Sequence, residues 1–250
     1  VCAAAGRWPW ALHLLAEMGH LHLICDAISC GSAISACAGG GQWRLALSVL
    51  WESWQSKAVL DVVACNSAIS ACEKCQEWEQ TLLILENMVR LRLRPDVITY
   101  NAMISASEKG QQWELALHLL SQMTMHHTEA NAITTGSAVS ACEKGRQWEQ
   151  AMQVLQRALW GAVRLDGVVS NAAVSACSHA LQWPRALALV GARRRSGESM
   201  DLVAFNAAIT ACANGLRLSQ ALRLKAEMET TRLDPNTISY NALIGACAAG

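Results

Sequence analysis

The chain has 250 residues, with 20 basic and 20 acidic side chains and therefore no formal net charge. Its apolar content of 52% is ample for a buried core, and the balanced charge gives no general indication of nucleic-acid or membrane binding. No apolar run reaches the roughly 18 residues of a membrane span, and residues 1–26 lack the layout of a signal peptide, so we expect any targeting segment to lie outside this chain.

A period of 35 residues runs through the whole sequence. Tryptophan recurs at this spacing, at Trp8, Trp43, Trp78, Trp113, Trp148 and Trp183. A tetratricopeptide period of about 34 residues would fall out of step by one residue in each repeat, and no such drift occurs. We divide the chain into six complete repeats with part-repeats at 1–26 and 237–250; the complete ones are 27–61, 62–96, 97–131, 132–166, 167–201 and 202–236. A chain that begins and ends within a repeat is expected to be a piece of a longer array.

Each repeat predicts two helices, helix A at positions 1–13 and helix B at positions 17–29. Glycine recurs at position 14, where we expect it to cap the end of helix A, at Gly40, Gly110, Gly145 and Gly215. Pro9 and Pro184 at position 18 suit the first turn of helix B, and Pro95 and Pro235 at position 34 should end it. The pattern predicts an all-α solenoid of 35-residue helix–turn–helix repeats.

Helix A has two distinct faces. Positions 4, 7, 8 and 11 should be buried, as with Tyr100 and Ile104, whereas positions 2, 5, 9 and 13 fall on the opposite side. That second stripe carries an aliphatic residue, an asparagine, a hydroxyl and a lysine, as in Ile98, Asn101, Ser105 and Lys109. In stacked repeats the stripe recurs about every 10 Å, a spacing that suits a polymer with one unit per repeat.

The other distinctive residues indicate packing rather than chemistry. Seven of the eleven cysteines share position 11 and should be small buried residues: Cys2, Cys37, Cys72, Cys142, Cys177, Cys212 and Cys247. The lone C-x-x-C of Cys72 and Cys75 has no second pair, so we expect no metal and no cofactor. Position-17 tryptophan could form a stacking platform, but its regular place in helix B favours packing. The Arg193–Arg195 run should suit the helix dipole and solvent. No nucleophile–base pair or P-loop is present, and we expect no enzyme activity.

The sequence resembles the pentatricopeptide repeat family over essentially its whole length. The resemblance rests on the period, on T-Y-N-A at Thr99–Ala102, on S-Y-N-A at Ser239–Ala242 and on Pro95-Asp96. It implies a right-handed superhelix with helix A on its concave side. It also implies binding of single-stranded RNA with one base per repeat, each base recognised by a few side chains. Family members usually act in organellar RNA processing, stability, editing or translation. The resemblance therefore implies a location in a chloroplast or mitochondrion. It also implies protein partners from the RNA-processing machinery and no membrane partner.

The resemblance assigns roles to matching residues. Position 2 would wedge against a base, at Ile28, Val63, Ile98, Ile133, Val168, Val203 and Ile238. Positions 5 and 35 would recognise its edge, in the pairs Asn66 with Asp96, Asn101 with Asn131, Asn171 with Asp201 and Asn206 with Asn236, continuing past Asn241. Gly31 and Gly136 leave Asp61 and Asp166 without a side-chain partner at position 5. Lys74, Lys109 and Lys144 at position 13 resemble the family's phosphate contacts.

An acceptor-only aspartate suits the N3–H of uracil, and a second asparagine amide suits the N3 acceptor of cytosine. The implied target is 5′-NUCNUC-3′. Two alternatives stay open at this stage. The position-5 asparagines could be structural residues that bond to neighbouring backbone, and the array could be a tetratricopeptide-like solenoid that binds a peptide. The few basic residues of the stripe and the alternation of Asp and Asn at position 35 favour RNA.

Overall fold

The computed structural model describes residues 7–21, 26–56, 60–126, 128–160, 167–195 and 200–249. These ranges contain fourteen α-helices of 13 residues each and no strand. The helices are α1 Trp8–His20, α2 Ala27–Gly39, α3 Trp43–Gln55, α4 Val62–Lys74, α5 Trp78–Arg90, α6 Val97–Lys109, α7 Trp113–Met125, α8 Ala132–Lys144, α9 Trp148–Trp160, α10 Gly167–His179, α11 Trp183–Arg195, α12 Leu202–Asn214, α13 Leu218–Thr230 and α14 Thr237–Ala249. Positions 1–13 and 17–29 are therefore helical, as the period predicts. None of these described helices is long enough to span a membrane.

Residues 1–129 and 130–250 form two compact units with the same internal plan. In the first unit the A helices α2, α4 and α6 pack side by side; in the second, α8, α10, α12 and α14 do so. Each B helix packs against an A helix of its own repeat, against that of the next repeat, or against both, within the same unit. The A helices thus form one layer of each unit and the B helices a second layer.

The core lies between these layers. Tyr100, Phe205, Ile104 and Ile209 are at most 1% exposed, which confirms the predicted buried face of helix A. The cysteines at position 11 are also buried and free, at Cys37, Cys72, Cys142, Cys177 and Cys212. Burial raises the pKa of the Cys72 thiol to about 12, so this group is protonated and inert at neutral pH. The prediction of burial is wrong for Cys247, which is exposed in α14, and Cys2 lies outside the described residues.

The glycine at position 14 does not adopt the left-handed conformation expected of a capping glycine. Gly110, for example, has φ −77°, and the left-handed residue is the next one, Gln111, with φ 57°. The reason for glycine at position 14 is contact across the repeats. A methyl group on Gly110 would overlap the ring of Trp78, and Gly215 has the same relation to Trp183. Position-17 tryptophan is therefore a packing residue seated on the next repeat, as predicted.

Candidate functional site

The residue at position 35 is the N-cap of the helix A that follows it. Asp26, Asp61, Asp96, Asn131 and Asp201 have extended backbones and accept a hydrogen bond from the third backbone N–H of that helix. Such a cap satisfies one of the free N–H groups at a helix start. All of these side chains except Asp26 are ones that the family resemblance assigns to base recognition, so their orientation is fixed by the fold before any ligand is present.

Asn66 and Asp96 form a pair of this kind, which we call a reader pair: the position-5 asparagine and the position-35 residue of one repeat. Asn66 Nδ2 donates to Asp96 Oδ1 at 3.1 Å, and the same oxygen accepts the backbone N–H of Thr99 at 2.8 Å. The Thr99 hydroxyl lies 2.6 Å from Asn66 Oδ1 and donates to it. Both ends of the Asn66 amide are thereby held, and the side chain is only 9% exposed.

These bonds also set the charge of Asp96. Burial alone would raise its pKa, but the hydrogen bonds from Thr99 and Asn66 outweigh burial, and the pKa of the carboxyl lies below its ordinary value. Asp96 therefore remains an anion at neutral pH, with Oδ1 engaged by protein donors and Oδ2 left as an acceptor.

The pair of Asn206 and Asn236 makes the same hydrogen bonds as Asn66 and Asp96, but the second polar atom of its position-35 side chain is a nitrogen instead of an oxygen. Asn206 Nδ2 donates to Asn236 Oδ1 at 3.2 Å, and that oxygen also accepts the backbone N–H of Ser239 at 3.1 Å. The Ser239 hydroxyl donates to Asn206 Oδ1. Because the cap requires oxygen on the inner side, the Asn236 amide must turn its Nδ2 outward. Aspartate at position 35 thus offers an acceptor, and asparagine offers a donor, at the same place.

The pair of Asn171 and Asp201 is built differently. Asn171 Nδ2 lies 3.1 and 3.0 Å from the two carboxylate oxygens of Asp201. The next repeat has Ala204 at position 3 and can supply no hydroxyl. Arg193 of helix α11 takes that place, and its Nη1 donates to Asn171 Oδ1 at 2.8 Å. The prediction that the Arg193–Arg195 run faces solvent is wrong for Arg193, which is half-buried and directed at the reader pair.

An exposed aliphatic residue stands at position 2 of every complete repeat and of the part-repeat 237–250. The exposed fraction ranges from 57% to 77% in Ile28, Val63, Ile98, Ile133, Val168, Val203 and Ile238. A single exposed aliphatic side chain needs no explanation, but a row of them at one register position provides apolar surface for a ligand to cover.

The position-13 lysines are exposed, and Lys109 is paired with an acid. Lys109 Nζ lies 2.9 Å from Glu73 Oε1, and the Ser105 hydroxyl donates to the same oxygen at 2.7 Å. Lys74 and Lys144 are exposed at the same position of their helices. Glu73 therefore offsets part of the positive charge that the sequence assigns to this row.

The remaining predicted site residues fall into three groups. Asn101 is half-buried in the first unit, and Asn131 caps α8 in the second, so each is described by itself. Asn241 is exposed, and Asp166 lies outside the described residues. Gly31 and Gly136 pack against the next repeat. A methyl group placed on Gly31 would lie 3.7 Å from Ala64, and one placed on Gly136 would lie 3.3 Å from Val169.

The expected stripe of positions 2, 5, 9 and 13 is only partly exposed. Positions 2 and 13 face solvent, but Asn66, Asn171 and Asn206 at position 5 are 7–9% exposed. A helical wheel cannot show this burial, because the next repeat covers position 5. The hydrogen bonds described for these asparagine side chains go to side chains of their own and the next repeat, whereas the structural alternative supposed bonds to nearby backbone.

The fold defines an α-solenoid, and the reader pairs give it a recurring set of polar side chains in the repeats that have asparagine at position 5. Three family models match the sequence: the PPR repeat family at residues 60–109, the PPR repeat at 98–127 and the pentatricopeptide repeat domain at 190–249. The chain belongs to the pentatricopeptide repeat family. No curated protein sequence matches it.

Solved structures share the fold at low sequence identity. The pentatricopeptide repeat protein PPR10 from maize matches with a TM-score of 0.66 at 19% identity, over 95% of this chain and 34% of that one. PPR10 in complex with an 18-nt psaJ RNA element matches with a TM-score of 0.69 at 22% identity, over 97% and 39%. The PPR domain of Arabidopsis thaliana protein-only RNase P 1, in complex with tRNA, matches with a TM-score of 0.63 at 9% identity, over 72% and 95%. The present chain thus spans about a third of the length of PPR10. These similarities confirm the all-α solenoid of helix–turn–helix repeats.

Proposed function

We propose that this chain binds single-stranded RNA, one base per repeat, without catalysis of its own. The observation that carries the proposal is the reader pair, in which a cap bond fixes whether position 35 presents an acceptor or a donor. Uracil offers a donor at N3 and suits Asp96 or Asp201; cytosine offers an acceptor and suits Asn131 or Asn236. The pairs together give the target 5′-NUCNUC-3′.

Two further features support this proposal. The aliphatic row at position 2 offers apolar surface beside each pair, on which base faces can pack. The similar structures of PPR10 with its RNA element and of the RNase P domain with tRNA belong to proteins that bind RNA. By family resemblance we place the protein in organellar RNA processing, stability, editing or translation, in a chloroplast or mitochondrion, together with protein partners from that machinery.

The test exchanges the two reading residues of adjacent repeats. In the double variant Asp201→Asn, Asn236→Asp the composition and net charge stay the same, and each new residue is one that already caps helix A elsewhere in the chain. We expect the wild type to prefer RNA ending in UC and the double variant to prefer RNA ending in CU. Each preference should be about thirtyfold, the equivalent of about 2 kcal/mol for one hydrogen bond at each of the two exchanged bases. Fluorescence anisotropy at low salt, with NUCNUC and NUCNCU oligonucleotides, measures both.

Since the exchange leaves charge unchanged, general electrostatic binding predicts no difference between the two proteins. The same preference in both would overturn the assigned register. Equal binding of all RNAs and of the single-stranded DNA counterpart by a folded wild type would overturn base recognition. Binding of a peptide in place of RNA would indicate the tetratricopeptide-like alternative.

A further inference from the structure

The residue type at position 3 of each repeat is correlated with the residue type at position 5 of the preceding repeat. Where position 5 is asparagine, the next position 3 is a hydroxyl residue, at Thr99, Thr134 and Ser239. Where position 5 is Gly31 or Gly136, the next position 3 is Ala64 or Val169. The contacts give the reason: Thr99 and Ser239 donate to the asparagine Oδ1, whereas Ala64 and Val169 lie against the glycine. A buried asparagine oxygen needs a donor, and a glycine does not.

The repeat 167–201 is an exception to this rule, because Asn171 is followed by Ala204. Its donor is Arg193, at position 27, where the other complete repeats have the buried residues Ser53, Met88, Met123, Ala158 and Met228. Position 1 has changed as well. It is glycine only in this repeat, and a methyl group on Gly167 would overlap the guanidinium of Arg193. Arginine at 193, glycine at 167 and alanine at 204 therefore fit together.

We infer that Arg193 is a positioning residue for base recognition in the repeat 167–201. It donates to the asparagine Oδ1 the hydrogen bond that a position-3 hydroxyl donates in other repeats. The inference rests on the proposed function. Arg193 holds Asn171 Oδ1, so that Nδ2 faces Asp201 and keeps one hydrogen for the base. Its guanidinium acts through Asn171 and not through an RNA phosphate. One repeat of the array thus depends on a different residue for the same orientation.

The test uses four proteins: wild type, Arg193→Met, Ala204→Thr and the double variant. Methionine occupies position 27 in three other repeats, so Arg193→Met should fold. It should reduce the preference for U over C at the base of this repeat by about fivefold and leave the preference at other bases unchanged. Ala204→Thr supplies the hydroxyl used elsewhere, and it should restore the preference in the Arg193→Met background while changing the wild type little.

A second measurement on the same four proteins, the thermal unfolding midpoint, needs no RNA. Ala204→Thr should raise the thermal unfolding midpoint more in the Arg193→Met background than in the wild type, because only there does Asn171 Oδ1 lack its donor. An equal effect in both backgrounds would overturn the inference even if the wild type binds no RNA. Uniform weakening of all RNAs by Arg193→Met, without rescue by Ala204→Thr, would show instead that Arg193 acts through its charge. A wild type that binds RNA without base preference would overturn the proposed function and with it the role in base recognition, whereas the unfolding midpoints would still decide whether Arg193 holds Asn171.

Discussion

Asp96 serves the fold and the candidate site with one side chain. Its Oδ1 caps α6 and accepts from Asn66, while Oδ2 remains as an acceptor for a ligand. Asn236 performs the same cap with an amide oxygen and leaves a donor instead. Exchange between aspartate and asparagine therefore changes the outward chemistry without a change in helix capping. Under the proposed function, the recognised base could then vary while the repeat stays intact.

The lowered pKa of Asp96 predicts a pH dependence of stability. Because the folded-state pKa lies below the ordinary value, the carboxylate stabilises the fold above the unfolded pKa, and this contribution is lost as pH falls through the folded pKa. In Asp96→Asn the cap oxygen is kept but no group titrates. The difference in unfolding midpoint between wild type and variant should therefore shrink from about pH 6 to about pH 3. Circular dichroism melts measure it; a constant difference over that range would contradict the assigned bonds.

At the scale of the element, the period and the start and stop signals of the repeats were together sufficient to predict the described helices. The 35-residue step fixes the register of all repeats, so one repeat with clear signals, such as Pro95-Asp96 before α6, sets the bounds of the others. The reason for glycine at position 14 could not be predicted, because it depends on a tryptophan 32 residues earlier in the chain. The contact of Arg193 with Asn171 could not be predicted for a related reason: the direction of the arginine side chain depends on Gly167 and Ala204, in two different helices.

The contact of Gly110 with Trp78 predicts the effect of a single methyl group. The backbone of Gly110 has φ −77°, which alanine adopts freely, so Gly110→Ala can cost stability only through the overlap with the ring. We expect a loss of roughly 1–3 kcal/mol in denaturant unfolding. Gly19→Ala in α1 is the matched control, since a methyl group there meets nothing within 4 Å. In a Trp78→Leu background the cost of Gly110→Ala should largely disappear; a full cost there would mean that the ring is not its cause.

At the scale of the whole molecule, electrostatics sets an upper limit on RNA affinity. The chain has no net charge, and three position-13 lysines would give a salt slope of only about −2, at about 0.7 per phosphate contact on single strands. Glu73 holds the Lys109 ammonium at 2.9 Å and so competes with a phosphate for it. Under the proposed function, RNA binding would therefore depend on the reader pairs and the apolar row more than on general attraction.

The pairing of Glu73 with Lys109 predicts that removal of the acid strengthens RNA binding. Glu73→Gln removes the competitor and one negative charge beside the lysine row, and it keeps an oxygen that can accept from Lys109 and Ser105. We expect tighter binding of NUCNUC at low salt and a slope of log K against log salt that is steeper by about 0.7. Glu86→Gln on the exposed side of α5 is the control, because it changes net charge equally away from Lys109. If both variants bind RNA equally tightly, the gain in affinity comes from net charge alone. If Glu73→Gln does not increase the affinity when Lys109→Gln is also present, the gain depends on Lys109. An unchanged slope for Glu73→Gln would remove Lys109 from the set of phosphate contacts.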